Sequence, residues 1–324
     1  MATGKQTTIA LEKGWGSKAG RNPLRKLWKY RALWILALPG MLLLLVNNYL
    51  PMFGIFLAFK DLNFAKGIWG SAWNGLDNFK FMFTTNDIWY TIGHTIGYNL
   101  VFLVVNTVLS VLAALLLNEV KNRAMSKFYQ STMLLPHFIS MVVVAYLVFG
   151  FLNPDLGFIN KSVLEPLGRE GISWYMEPQY WPSILTVVNI WKSVGFGSII
   201  YLATIVGIDK EYYEAAMLDG AGKWKQMTKI TLPFLVPVII ILTLLAIGRI
   251  FSADFGLFYQ VTMNSGMLKS TTEVIDTYVY NALLVSGDTN LASAAGLLQS
   301  VVGFVLIVSV NWIVKRISSD KGLF

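Results

Sequence analysis

The sequence predicts an all-α integral membrane protein with six transmembrane helices, and three observations carry that prediction. The 324 residues are 55% hydrophobic. Only 14% are charged, against about a quarter in a soluble domain. Apolar runs of about 20 residues, long enough for the roughly 30 Å hydrocarbon core of a bilayer, recur along the chain. Such a chain places much of its apolar surface against lipid.

The six spans fall near Leu33–Phe59, Tyr98–Leu117, Thr132–Leu152, Ser183–Val206, Phe234–Ala253 and Ser293–Val314. They organise the chain into a basic tail 1–32, a six-helix transmembrane domain 33–314 and a short tail 315–324. Met1–Arg31 is polar and basic and is followed by a long apolar run, so no cleavable signal is expected and the first run is an anchor. That run is too long for an upright helix and contains Pro39 and Pro51, each lacking a backbone donor, which predicts tilt or a break near Pro51. In the second span Asn99, Asn106, Ser110 and Ala113 share a face, as do Ser293, Gly296, Ser300 and Gly303 in the sixth. Small and polar residues at these steps suit close helix packing in lipid, and packing within the chain is the expectation for both stripes. Trp69, Trp73 and Trp89 follow the first span, where indole rings commonly sit at the headgroup level. Between the fifth and sixth spans, Val274, Ile275, Tyr278, Val279 and Ala282 recur at helical spacing within Glu273–Leu284, predicting a surface helix on the outer face.

Charge sets the orientation. Of the 26 Lys and Arg, 18 lie in the two tails and the segments 118–131 and 207–233, six lie in the alternate segments, and Lys192 and Arg249 lie within spans. The positive-inside rule then places both termini in the cytoplasm. The net charge of +8 is not gathered on one soluble module, which argues against nucleic acid as a partner. With no cysteine, disulfides and thiolate chemistry are excluded. His94 and His137 are isolated, and no H-E-x-x-H or G-x-S-x-G motif is present, so an intramembrane enzyme has no support.

The most informative stretch is the segment 208–233 between spans four and five, expected to be cytoplasmic. Glu214-Ala215-Ala216, three residues, Gly220, nine residues and Ile230-Thr231-Leu232-Pro233 reproduce the pattern E-A-A-x3-G-x9-I-x-L-P at every fixed position. Ala215 and Ala216 let two surfaces approach closely, and Glu214 offers a carboxylate for a charge-assisted bond. Gly220 permits the backbone angles that end a helix, and Pro233 suits the first turn of the next one. The segment cannot cradle a nucleotide: in the frame G-x4-G-K-[ST], Gly222-Lys223 has Met217 at the first position and Trp224 at the last.

On this loop the chain resembles the membrane subunits of ATP-binding-cassette carbohydrate importers of the maltose-importer type. Asn48-Tyr49-Leu50-Pro51-Met52, Leu135-Pro136-His137-Phe138-Ile139-Ser140 and Ile275-Asp276-Thr277-Tyr278-Val279-Tyr280 are similar to the polysaccharide branch of that family. The resemblance runs from about Leu38 to the end. It implies a type I importer permease fold in a bacterial inner membrane, working by alternating access. It implies that Glu214, Ala215, Ala216, Asp219 and Gly220 form a coupling helix docking on an ATPase subunit. It also implies a second homologous permease, two ATPase subunits that hold the ATP and magnesium, and an extracytoplasmic solute-binding protein. No cofactor is expected on this chain, and the cargo is a carbohydrate, with an acidic glycan such as alginate the specific expectation. The rival class, a secondary transporter or channel, more typically carries intramembrane carboxylates, and the six spans hold none away from their edges.

Lys192 lies about 14 Å inside the outer end of the fourth span, counting 1.5 Å per residue. Asn189 and Ser193 neighbour it on a polar side of the helix, and Arg249 lies near the outer end of the fifth span. Cations in a membrane usually face a protein interior or an aqueous cavity, which makes Asn189, Lys192, Ser193 and Arg249 candidates for the substrate pathway. The competing roles are a contact from Lys192 to a carbonyl or a partner's acid, and snorkelling of Arg249 to the interface.

Overall fold

The computed structural model describes residue 28 and residues 30–317. Nearly all of the expected tail 1–32 and most of the expected tail 315–324 lie outside the described residues. The chain divides into two units, Met1–Gly54 and Ile55–Phe324. Among the described residues five helical runs are long and apolar enough to cross a membrane, and a bent pair makes a sixth if it counts as one span.

The first unit holds helix α1, Arg31–Leu44, which accommodates Pro39. Its backbone then widens into a π turn at Leu45–Tyr49 and tightens into 3-10 turns from Leu50 to Phe59. The expected disturbance near Pro51 thus takes the form of a change of helical pitch, since proline cannot donate the bond that would continue the α ladder.

In the second unit a short antiparallel pair, β1 (Lys60–Asp61) and β2 (Ala72–Trp73), sits ahead of the second span. Lys60 is only 3% exposed. Its ammonium donates to the Ile68 and Trp69 carbonyls at 2.8 and 3.2 Å and lies 5.1 Å from the Trp73 ring centroid. Trp69, Trp73 and Trp89 remain exposed. Two of the indoles therefore shield a lysine on one side while presenting surface on the other.

Helix α2 (Asp77–Thr84) leads into α3 (Asn86–Glu119). At 34 residues α3 is about 50 Å long, well beyond the bilayer core, so the helix starts before the apolar run at Tyr98 that marks the span. The expected third span is not one helix. It is α4 (Arg123–Phe138) and α5 (Met141–Leu152), bent by 97°. Ile139 and Ser140 are extended, and the Ser140 hydroxyl caps α5 by accepting from Val143 N–H at 3.4 Å. The segment 153–180 is organised by buried Asn160, whose amide binds the Pro154 and Ile172 carbonyls, Ile172 N–H and the Trp174 indole.

Helix α6 (Trp181–Val206) packs along α3. Asn106 donates to Asn189 at 2.7 Å and Ser110 to the Val194 carbonyl at 3.3 Å, so the polar stripe of the second span is a packing seam within the chain. Two apolar clusters lie along this seam. One gathers Tyr98, Phe102, Trp181 and Leu185 with Val144, Leu257 and Phe258; the other gathers Val111, Ala114, Tyr201 and Leu235. Helix α7 (Lys210–Leu218) follows, then a turn over 219–222 and a helical run from Lys223 that passes through a π turn at Met227–Thr231 into α8 (Leu232–Ile247). The fifth span ends six residues earlier than expected, in turns after Gly248 that Asn99 holds through the Ile250 and Ser252 carbonyls.

The expected helix at 273–284 is present as α9 (Ile275–Tyr280), continued by a π turn at Asn281–Val285. It is less superficial than expected: Val274, Ile275 and Ala282 are buried, and α9 packs against α10 (Thr289–Ile317). On α10 the packing face carries Ala292 and Ala295, which are buried. A Cβ at Gly296 or Gly303 would meet nothing within 4 Å, so the small-residue stripe of the sixth span is open within this chain rather than a seam.

Candidate functional site

Helix α7 begins at Asp209, whose carboxylate accepts the Glu211 N–H at 3.1 Å and caps the free donors of the first turn. It ends where Gly220 adopts φ +73°, Gly220 N–H bonds the Met217 carbonyl at 3.0 Å and Ala221 N–H reaches back to the Ala216 carbonyl at 2.8 Å. Only glycine adopts that left-handed conformation without strain. The segment is tied down at both sides. Tyr213 and Thr231 share a hydroxyl–hydroxyl bond of 2.9 Å, Gln226 donates to the Ala221 carbonyl at 2.8 Å, and Lys223 pairs with Glu119 at the end of α3 at 3.3 Å.

What α7 presents outward is the reverse of what an isolated helix hides. Leu218 is 91% exposed, and Tyr212 and Met217 are exposed beside it. Glu214, Ala215, Asp219 and Gly220 are exposed and Ala216 is half-buried. Among the described residues the Glu214 carboxylate has no ion pair and no hydrogen bond. A rigidly held helix end with bare apolar groups, two small residues and one unpartnered carboxylate is suited to receive a complementary surface. Behind it, between α7 and the ends of α3 and α6, lies a cavity of about 520 Å³ reached by Lys121, Arg123, Lys210 and Lys223.

The four residues expected to face a substrate are not gathered at one point. Asn189 is 9% exposed and engaged with Asn106. Lys192 donates to the carbonyls of Pro136 at 3.3 Å, His137 at 3.1 Å and Ile139 at 2.5 Å, which is the carbonyl contact that competed with a substrate role. Ser193 is half-buried next to it. Arg249 is exposed in the turn after α8, and its guanidinium has no ion pair among the described residues.

At the opposite end from α7 a second cavity of about 560 Å³ is lined by Asp87, Tyr90, His94, Glu273, Tyr278 and Asn281, among others. Burial pushes the Glu273 carboxyl above its ordinary range, and Lys269, 3.6 Å away, partly offsets that. The His94 ring lies 3.2 Å from the Glu273 carbonyl. Sequence reasoning did not find this cavity, because its lining comes from residues 87–94 and 269–291, which only folding joins. Among the described residues no three carboxylate or imidazole groups converge as a metal site.

Comparison with known proteins adds a family. Residues 106–319 match the model for binding-protein-dependent transport system inner membrane components. Protein LplB of Bacillus subtilis (strain 168) is 36% identical over 90% of this chain and 91% of its own. The polygalacturonan/rhamnogalacturonan transport system permease protein YteP of the same organism is 35% identical over 93% and 92%. A crystal structure of a bacterial ABC transporter involved in the import of the acidic polysaccharide alginate contains a chain that superposes with a TM-score of 0.81. That chain is 32% identical, and the match covers 91% of this chain and 99% of that one.

Proposed function

The chain belongs to the family of binding-protein-dependent transport system inner membrane components, and from that membership we propose how it is coupled and what it carries. It is a permease subunit of an ATP-binding-cassette importer in the inner membrane. Helix α7 is the coupling helix, with Glu214, Ala215, Ala216, Asp219 and Gly220 the docking residues for a separate ATPase subunit. Both termini and α7 then lie in the cytoplasm, in keeping with the distribution of Lys and Arg. The observation that carries this reading is the exposure of Leu218 and Met217 beside an unpartnered Glu214 on a helix held at both ends.

The pathway is completed by a second homologous permease, and two ATPase subunits supply the hydrolysis for which this chain has no phosphate-cradling loop. An extracytoplasmic binding protein delivers the cargo. Closure of the ATPase pair draws the coupling helices together and opens the bundle outward; no bond in the cargo is broken. The cargo is an acidic glycan: polygalacturonan, named for one relative, and alginate, named for the structural neighbour, are both chains of uronic acids.

The test is to reconstitute the complex and measure stimulation of ATP hydrolysis by the loaded binding protein across neutral and uronic-acid oligosaccharides. Stimulation and uptake are expected with the uronic-acid series. Stimulation by neutral oligosaccharides alone would overturn the cargo assignment, and a permease pair that imports without any ATPase subunit would overturn the coupling.

A further inference from the structure

The broken third span raises a problem that the chain has to solve. When α4 stops at Phe138 and the chain turns by 97°, the carbonyls of its last turn lose their helical partners, except that Pro136 still accepts the Ile139 N–H at 3.3 Å. In the depth of a bilayer no water replaces them, and an unsatisfied carbonyl there is costly. Lys192 answers it with all three of its ammonium donors, one each to the Pro136, His137 and Ile139 carbonyls.

Two further contacts join the same pair of helices. The His137 ring stacks on Phe196 with centroids 4.5 Å apart and planes 9° from parallel. A Cβ built on Gly195 would fall 1.8 Å from the Met133 carbonyl oxygen, so the two backbones touch there. Lys192, Gly195 and Phe196 stand at i, i+3 and i+4, one face of α6. Over Met133–Ile139, then, α4 is fastened to α6 by a charge-assisted cap, a ring stack and backbone contact. Helix α6 in turn passes into α7 through only Gly207, Ile208 and Asp209, of which Ile208 is buried.

The other half of the span is held chiefly by the turn after Gly256. Val144 and Ala145 of α5 pack in the cluster with Leu257 and Phe258, a cluster that the outer end of α6 shares through Trp181, Leu185 and Val188, and a Cβ on Gly256 would press on Met141 at 2.9 Å. Between the halves only Ile139 and Ser140, both extended, make the connection.

We infer that Lys192 is a positioning residue that clasps α4 to α6, so that α4, α6 and α7 move as one body during transport and the link Ile139–Ser140 takes up the motion. The inference rests on α7 being the coupling helix. It assigns the ammonium to a mechanical role and leaves the cargo to other groups.

The experiment uses the full importer in liposomes, with uptake per ATP hydrolysed as the readout. Because this chain has no cysteine, His137→Cys with Phe196→Cys can be bridged by a short bifunctional thiol reagent without competing sites on the subunit. Bridging two elements that already move together is expected to leave uptake within twofold of the unbridged variant. Lys192→Met is expected to lower uptake per ATP about tenfold, the weight of a single charge-assisted bond, for neutral and acidic oligosaccharides alike, and Lys192→Arg to restore it. A bridge that blocks uptake overturns the inference, and that arm decides it even where Lys192→Met fails to assemble. So does a Met variant with unchanged uptake per ATP, or one that loses only acidic cargo, which would return Lys192 to substrate contact. Wild-type importer run alongside separates the readings: if it shows no ATP-driven import, the proposed function fails, and variant-specific outcomes bear on the clasp.

Discussion

Gly220 is the position where conformation and contact can be told apart by substitution. Its φ of +73° lies in the left-handed region, which costs an L-residue about 1–2 kcal/mol, and more for a β-branched side chain. A Cβ there would meet nothing within 4 Å, so within this chain the whole penalty is backbone strain. The native cap is held by the Gly220 N–H bond to Met217 and the Ala221 N–H bond to Ala216. A penalty of 1–2 kcal/mol lowers the population of the intact cap by about 5–30-fold. Asparagine, which tolerates this region, is expected to be the mildest change, alanine intermediate and valine the worst. ATP-driven uptake in proteoliposomes and co-purification of the ATPase subunit measure the effect, with membrane insertion of the permease as the control that should stay constant. Equal activity of Gly220→Asn, Gly220→Ala and Gly220→Val would refute the argument from strain. If Gly220→Asn is as damaging as Gly220→Val, the position is closed to any side chain by the docked partner, and contact rather than conformation is what selects glycine.

Three further outcomes follow from the same contacts. Because Glu214 bonds nothing among the described residues, Glu214→Gln and Glu214→Lys should leave the thermal stability of the isolated subunit unchanged while weakening ATPase retention, the Lys variant more; a stability loss without a retention loss would contradict the docking role. Gly195→Ala places a methyl against the Met133 backbone, which cannot step aside, and overpacking of this kind typically costs about 1–3 kcal/mol or more. A clear drop in the yield and melting temperature of the subunit is expected, and wild-type values would show that the two helices are not in backbone contact. For Glu273 the folded carboxyl titrates above its ordinary value of 4.5, so between those two values the folded state holds the extra proton. Stability contributed below pH 4.5 is therefore lost as pH rises through the folded value. Glu273→Gln should flatten that part of the melting-temperature profile; parallel profiles for the two proteins would show that burial does not set this carboxyl.

The helix end at Gly220 was legible because its signals are local: small residues at Ala215 and Ala216 and a helix-ending glycine at 220 need no other part of the chain to be understood, whereas the cap at Asp209 came only with the structure. The helix around Ile275 was legible for the same reason, through its spacing. The broken third span was not. Thr132–Leu152 is apolar nearly throughout, and Pro136 is as compatible with a bent helix as with a broken one. What allows the break is Lys192, more than 50 residues later, which supplies donors to the freed carbonyls. Depth in the bilayer made Lys192 a candidate for the substrate pathway with a carbonyl contact as the competing role, and depth alone could not say that the carbonyls of Pro136, His137 and Ile139 are what it binds. The start of α3 was missed by 12 residues, because hydropathy reports where lipid begins and not where a helix does.

The polar groups along the spans bear on where cargo is discriminated. Asn99, Ser110, Lys192 and Gln299 all donate to backbone carbonyls of other helices or turns, and Asn106 and Asn189 bind each other. To recruit any of the first four to a passing sugar would strip a carbonyl of its donor. In the structure these side chains hold the bundle together, and the one charge among them, Lys192, is engaged by backbone carbonyls. Among the described residues, unengaged charged side chains lie instead toward the two ends, Glu214 on α7 and Arg249 in the turn after α8 among them. On the proposed function, that division places recognition of an acidic glycan at capture, on the extracytoplasmic side, and makes passage through this half of the pathway a matter of shape and hydration.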